Sequence, residues 1–286
     1  MVENCKLCNK STELKNSHLI PNFIHKWQKK TSYTGNIRSI ENINQINQGG
    51  FKDYLLCGNC EQIFSKWEKY FAEIHFYPYI NKKIVNEYNI NFSKFAISLA
   101  WRILIKFKKD KLFEEYELST IHNINNMEKI WRDYLLSNSL SIPNNIKHNI
   151  FLIHENMYEH PFFNRQIRSV ETTFISDSEG GSYFYIKLPY FTIVAFIENY
   201  NSKYWSLSEI KEHGTIELNS TIHTSMEDLI VENCEEHKNM VNKYSKNQFD
   251  KVQSRFNNSD FYKTHAFKMA VEDYKKFKYK SLPKKN

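Results

Sequence analysis

Glycine is scarce in this chain: seven among 286 residues, at Gly35, Gly49, Gly50, Gly58, Gly180, Gly181 and Gly214. No G-x-G-x-x-G or P-loop run can be assembled from them, which sets aside the nucleotide-cofactor folds built on such loops. Long hydrophobic runs are missing too. The most apolar stretch, Phe95 to Phe107, is short and carries Arg102 and Lys106, so it does not read as a membrane span. The chain opens Met-Val-Glu-Asn-Cys, without the basic and then apolar pattern of a secretory leader. Five cysteines, four of them in two Cys-x-x-Cys pairs, suit a reducing compartment better than a disulfide framework. The expectation is a soluble, cytoplasmic protein with no membrane partner.

What is present is enough for a core: 41% of residues are hydrophobic and 15% aromatic. A mean hydropathy of -0.62 comes largely from asparagine and lysine. The net charge of +7 favours an anionic partner only mildly, because 39 basic residues face 32 acidic ones.

The length is consistent with two units, and the patterning divides the chain near residue 80. In residues 1–80, Pro21 opens a short helix through Lys30 with Phe23, Ile24 and Trp27 on one side. Thr31 to Gly50 is polar and reads as a long loop, and Tyr54-Leu55-Leu56 as a strand. Phe64, Trp67, Phe71 and Ile74 then signal a helix that Pro78 ends. Residues 81–286 read as an α+β domain with helices within 92–136, strands within 149–199 and helices within 222–278. Phe92 to Lys108 is apolar nearly all round and belongs at the centre of a core, with one polar line of Lys94, Ser98, Arg102 and Lys106. The asparagine run His122 to Asn126 reads as loop. Pro189 interrupts the strand pattern of Tyr183 to Glu198, and Gly180-Gly181 supplies the turn before it. Trp101, Trp131 and Cys234 read as core.

The chemistry concentrates in two cysteine pairs around a histidine: Cys5-Lys-Leu-Cys8, Ser17-His18-Leu-Ile-Pro21 and Cys57-Gly-Asn-Cys60. Four thiols at this spacing close a tetrahedral zinc site. With all four positions taken by protein, that zinc is structural rather than catalytic. His18 reads as a residue on the loop such a site pins. A lone histidine is more often a surface or hydrogen-bonded core residue, but here Leu19 and Ile20 anchor the segment and leave the imidazole to act as a general base.

Cys-x-x-Cys, then His-Leu-Ile-Pro, then Leu-Leu-Cys-x-x-Cys opening a helix resembles an HNH endonuclease of the zinc-knuckle, treble-clef (ββα-metal) type, over residues 5 to about 75. The resemblance implies hydrolysis of phosphodiester bonds, DNA before RNA, with His18 as the base that activates water. It also implies a divalent ion, Mg2+ or Mn2+, at the scissile phosphate. Where the family often has an acidic or histidine ligand before the histidine, this chain has Ser17. Where the family often has His or Asn after the last cysteine, it has Glu61. Lys52 and Asp53 occupy the region of the family's middle asparagine. Glu61 and Asp53 are therefore the candidate ion ligands, with Glu68 sharing the helical face of Glu61. By analogy alone, a nuclease module joined to an unfamiliar domain suggests a defence effector against phage or mobile elements.

Arg38, Lys52, Arg102 and Lys106 are candidate phosphate contacts, and Tyr274 to Lys280 interleaves aromatics with lysines. Each is also consistent with a solvated charge. A non-catalytic zinc finger that binds nucleic acid is the alternative. So is a zinc-stapled scaffold that meets a protein partner or a second copy of itself through residues 81–286.

Overall fold

The structure, a computed structural model, describes residues 2–277 except 33, 40–41, 47–49, 84, 156, 178, 217–223, 241–242 and 259. Parts of the expected 222–278 helical region and of the lysine-rich tail fall outside the described residues.

The first eighty residues build a three-stranded antiparallel sheet, β1 (Val2–Asn4), β2 (Ser11–His18) and β3 (Lys52–Cys57), in the order β1-β2-β3. His18 is the last residue of β2 and not part of a loop. The segment Ser-Thr-Glu-Leu-Lys-Asn-Ser-His has almost no apolar alternation, so nothing in its periodicity marks a strand. Its pairing with β3 decides the conformation: Leu14 stands opposite Cys57 and His18 opposite Lys52. Between the two strands the chain inserts α1 (Asn22–Thr31), which begins directly after Pro21 and buries Ile24, His25 and Trp27.

Helix α2 (Gly58–Tyr70) follows β3 without a break. Pro78 does not end the helical run. A π-helical turn over Phe71–Phe76 widens the backbone, and α3 (Tyr77–Ile80) continues with Pro78 in its first turn, where a missing N–H costs little.

Helix α4 (Ile90–Phe107) is central, as its all-round apolarity implies. It packs on α2, with Phe71 stacked on Phe95 at 4.1 Å between ring centres and Phe64 edge-on to Trp101 at 6.0 Å. It also packs on α5 (Leu118–Leu136), which includes the asparagine run read as loop. Ile124, inside that run, is wholly buried, and such burial outweighs the weak helix propensity of its neighbours. The polar line of α4 is not a solvated stripe. Lys94 and Arg102 are 4% and 2% exposed, and Lys94 donates to the Tyr134 and Ser137 carbonyls at the end of α5.

A four-stranded antiparallel sheet, β5 (His148–Leu152), β6 (Glu171–Asp177), β7 (Gly181–Leu188) and β8 (Phe191–Glu198), runs in the order β5-β8-β7-β6. The short pair β4 (Glu87–Tyr88) and β9 (Gly214–Thr215) lies apart from it. Every residue of β7 is buried, so both faces of the sheet are covered. Phe184 meets Phe107 and Trp131 on one face, while Tyr183 meets Trp205 of α7 (Ser202–Trp205) on the other. On that second face Lys187, also buried, donates to the Gln166 and Ser169 carbonyls at the end of α6 (Phe163–Ile167). Helices α8 (Thr224–Met240), α9 (Lys246–Asn258) and α10 (His265–Phe277) complete the described chain. Among the described residues no helix is long and apolar enough to cross a membrane.

One hydrophobic core runs through both halves of the chain. The join is reinforced at α1. Arg168, after α6, lies 4.6 Å from the centre of the Trp27 ring and donates to Thr31 Oγ1 at 2.7 Å and His265 Nδ1 at 2.8 Å. Gln28 Nε2 donates back to the Arg168 carbonyl at 2.9 Å.

The core also sequesters histidines. Burial lowers His25, His75 and His265 to about 4 and His148 to about 3. The unfolded chain, with imidazoles near 6.5, therefore takes up more protons than the fold between that pH and about 4. Stability present above pH 6.5 is lost as pH falls through this window. Asp273, raised to about 7 by burial, works in the opposite direction but is one group against four. Denaturant midpoints at pH 7 and pH 5, with bound zinc measured at both, are expected to fall on acidification. Equal midpoints would show that these rings do not control acid stability.

Candidate functional site

The four knuckle cysteines converge as their spacing requires. Cys5 and Cys8 lie on the turn between β1 and β2, Cys57 ends β3, and Cys60 sits in the first turn of α2. The turn is held by Asn9 N–H donating to the Cys5 carbonyl at 2.9 Å, with Asn9 at φ 58°, and by Lys6 N–H donating to Leu55 O at 2.9 Å. All four sulfurs lie within 4.8 Å of one another, and Cys8 Sγ is 3.8 Å from Cys57 Sγ. Zinc with sulfur at about 2.3 Å gives a tetrahedron edge of roughly 3.8 Å, so the cluster fits that ion with little movement.

The chemistry of the donors agrees. Burial opposes a thiolate at Cys57, but the Cys60 backbone N–H and the neighbouring thiols donate to it and lower it to about 7. Burial and donation to Cys57 push the Cys60 thiol far above its ordinary value, and burial raises Cys8. Zinc binding would therefore release protons from the other thiols.

His18 lies outside this cluster, at the far end of the β2–β3 pair from Cys57, and is partly buried. Directly opposed residues of an antiparallel pair share a face. His18 thus shares a face with exposed Lys52, whereas Asp53 shares the opposite face with buried Ser17. Asp53 is further occupied by Lys109, at 2.6 Å. It does not join His18 as an ion ligand.

The carboxylate that the fold ties to His18 is Glu68. Arg102 Nη1 donates both to Glu68 Oε1, at 2.6 Å, and to the His18 carbonyl, at 2.9 Å. Glu61 is on the same face of α2 but seven residues earlier, about 10 Å along the axis toward the cysteines. With Asp53 turned away and Glu68 neutralised by Arg102, the carboxylates around His18 do not form the open oxygen set that Mg2+ or Mn2+ requires.

Of the four basic candidates, Lys52 and Lys106 are exposed. Arg102 is buried in its ion pair. Arg38 donates to the Ile43 carbonyl at 2.7 Å and to Gln248 Oε1 at 3.1 Å, binding its loop to α9 instead of facing solvent.

Arg102→Met is expected to destabilise the fold by about 3–5 kcal/mol, because it strands a partly buried carboxylate. Denaturant unfolding measures this. A loss below about 1 kcal/mol would mean that the pair does not hold the strand end.

His25 is not among the residues that the motif singles out, yet its ring lies beside that of His18. Its ring centre lies 6.3 Å from that of His18, at 37° between planes. It is 6% exposed, and its ring nitrogens make no hydrogen bond of ordinary geometry, although the Gln28 side chain lies close enough to favour the charged ring. Burial, opposed by Gln28 and aided by the charges of His18 and Lys29, keeps the ring neutral at pH 7. Gly50, at φ 68°, packs against this ring so closely that an added Cβ would overlap Nε2 and Cδ2. The available sequence signal is its place on the apolar side of α1, between Ile24 and Trp27, where a histidine needs a reason.

A second polar knot, Ser169, Glu171 and Lys187, is satisfied internally. The Ser169 hydroxyl donates to the Gln166 carbonyl at 2.6 Å and bonds the Glu171 carboxylate, so no nucleophile is presented there. Comparisons with protein-family models, curated proteins and solved structures gave no match.

Proposed function

We propose that the protein hydrolyses phosphodiester bonds in nucleic acid, DNA before RNA, on a zinc-stapled treble-clef module in which His18 is the general base. The observation that carries this reading is the position of His18: the last residue of the first hairpin strand, clear of the zinc ligands, with its carbonyl held by Arg102. The order knuckle, strand, helix, strand, helix, with Cys57 ending β3 and Cys60 in the first turn of α2, supports the treble-clef reading.

In this reading the neutral imidazole of His18 takes a proton from water as the water oxygen attacks phosphorus. The bond to the leaving sugar oxygen then breaks, and that oxygen is protonated from solvent. Lys52, on the same face, contributes positive charge toward the phosphate. The surrounding carboxylates do not fit a hard divalent ion, so no step is assigned to one.

The test is conversion of supercoiled plasmid to nicked circles by wild type and His18→Ala, with Mg2+, with Mn2+ and with EDTA. Wild-type nicking lost in the variant supports the reading; equal nicking by both overturns it. The neutralised carboxylates favour one other reading, a zinc finger that binds nucleic acid without cutting it. In that case both proteins bind DNA at low salt and neither nicks it.

A further inference from the structure

We infer that the outward face of the β2–β3 pair binds a single-stranded stretch of nucleic acid, with one unpaired base stacked on Tyr54 and the flanking phosphates met by Lys52 and Lys15. The inference deepens the reading above by naming the substrate class, and rests on it only for nucleic acid as the partner.

The first observation is Tyr54 itself. It lies in the middle of β3 and is 56% exposed. Tyrosine favours strands because its ring packs on cross-strand neighbours. The residue opposite is Asn16, itself exposed, which gives a ring little to pack on. Among the described residues Tyr54 makes no aromatic contact, and its hydrogen bond to Asp53 comes from the backbone N–H. A large amphipathic ring left open in this way offers a π-face to a ligand.

The second is register. Opposed residues of an antiparallel pair share a face, and so do residues two apart along a strand. Lys52 and Tyr54 therefore point the same way, with His18 and Asn16 opposite them. Lys15 joins this face, because the irregularity between Lys15 and Asn16 pairs it with Leu56, two residues beyond Tyr54. The ring thus stands between two exposed lysines, each roughly 7 Å from it along the strand.

The third is charge. Lys15 and Lys52 form no ion pair among the described residues, whereas Asp53, on the other face, is held by Lys109. The carboxylate that β2 adds to this face, Glu13, lies beyond Lys15 and opposite Val2. The stretch between the two lysines is therefore basic and aromatic, the complement of a polyanion that carries bases.

The ring also decides which form of nucleic acid fits. In a duplex the bases are stacked on one another and present only their edges in the grooves, so a flat ring finds no face to cover. A splayed base has a free face, and stacking on an aromatic side chain beside a basic track holds a single strand without reading its sequence. His18 shares this face, so a strand laid along it brings a phosphate past the proposed base.

The test is fluorescence anisotropy of the zinc-loaded full chain with a labelled oligothymidylate and with a duplex of the same length, at low salt without added divalent ion. Wild type is expected to bind the single strand more tightly. Tyr54→Leu should weaken single-strand binding about tenfold, within the range that one base–aromatic stack contributes, and weaken duplex binding less. Tyr54→Phe, which keeps the ring, should retain most of the affinity. Lys15→Gln and Lys52→Gln should each flatten the dependence of log affinity on log salt by about 0.7, the share of one phosphate on a single strand. Thermal melts check that each variant keeps the fold. Equal single-strand affinity of wild type and Tyr54→Leu overturns the inference. So does an equal loss in the leucine and phenylalanine variants, or a wild type that binds no single strand but self-associates through this face.

The plasmid assay separates the two proposals. If single-strand binding depends on Tyr54 but wild type does not nick, the platform stands and the nuclease reading falls. If nicking depends on His18 while single-strand affinity is indifferent to Tyr54, the platform falls and the base at His18 stands.

Discussion

Cys57→Ser is expected to abolish zinc binding and melt the N-terminal sheet. The residue supplies a thiol held below its ordinary value and a sulfur 3.8 Å from Cys8, across 49 positions of chain. Closing such a site contributes about 10 kcal/mol or more in small zinc modules, comparable with the whole stability of an ordinary domain. The three short strands bury little on their own. Metal analysis should read one zinc per wild-type chain and almost none in the variant. Amide exchange should show lost protection from Val2 to the first turns of α2, while α4 and the four-stranded sheet, whose burial is independent of the cluster, lose less. A Cys57→Ser protein with wild-type exchange in β1–β3 would mean that packing against α4, not metal, holds the module.

The second large effect is on catalysis. His18→Ala should lower plasmid nicking by about 10²–10⁴-fold, the range a positioned general base contributes. The bond that ties this residue to the core comes from Arg102 to the backbone carbonyl, which alanine retains, so the fold should be kept. A thermal midpoint within a few degrees of wild type, alongside lost nicking, separates a chemical role from a structural one. Activity retained within about threefold would remove His18 from the reaction.

Strong periodicity makes parts of this fold legible in the sequence alone. The apolar run of α4, the apolar segments of β7 and β8, and the cysteine spacing all correspond to elements in the expected places. The strand carrying His18 is not legible, because β2 has few apolar residues and is specified by its partner β3. Pro78 misleads because a π-turn absorbs what a proline normally breaks. The stripe Lys94, Ser98, Arg102 misleads for a related reason. A charge on a buried helix reads as surface unless the carbonyls and carboxylates it answers are known, and those lie in Tyr134, Ser137 and Glu68, remote in sequence. His25 carries no motif, and its burial is a property of three-dimensional surroundings, set here by Gly50 and the packing of α1.

The contact of Arg168 with α1 gives that helix an unusual dependence. A hairpin's turn is ordinarily a local affair, yet here the helix within the turn is fastened by a residue 140 positions from Gln28. Helix α1 is thus placed by Arg168, through Trp27 and Thr31, as well as by the short stretch of chain that joins it to β2. The C-terminal half therefore supplies part of what positions the segment between the two strands, and the residues before 80 do not hold that helix by themselves.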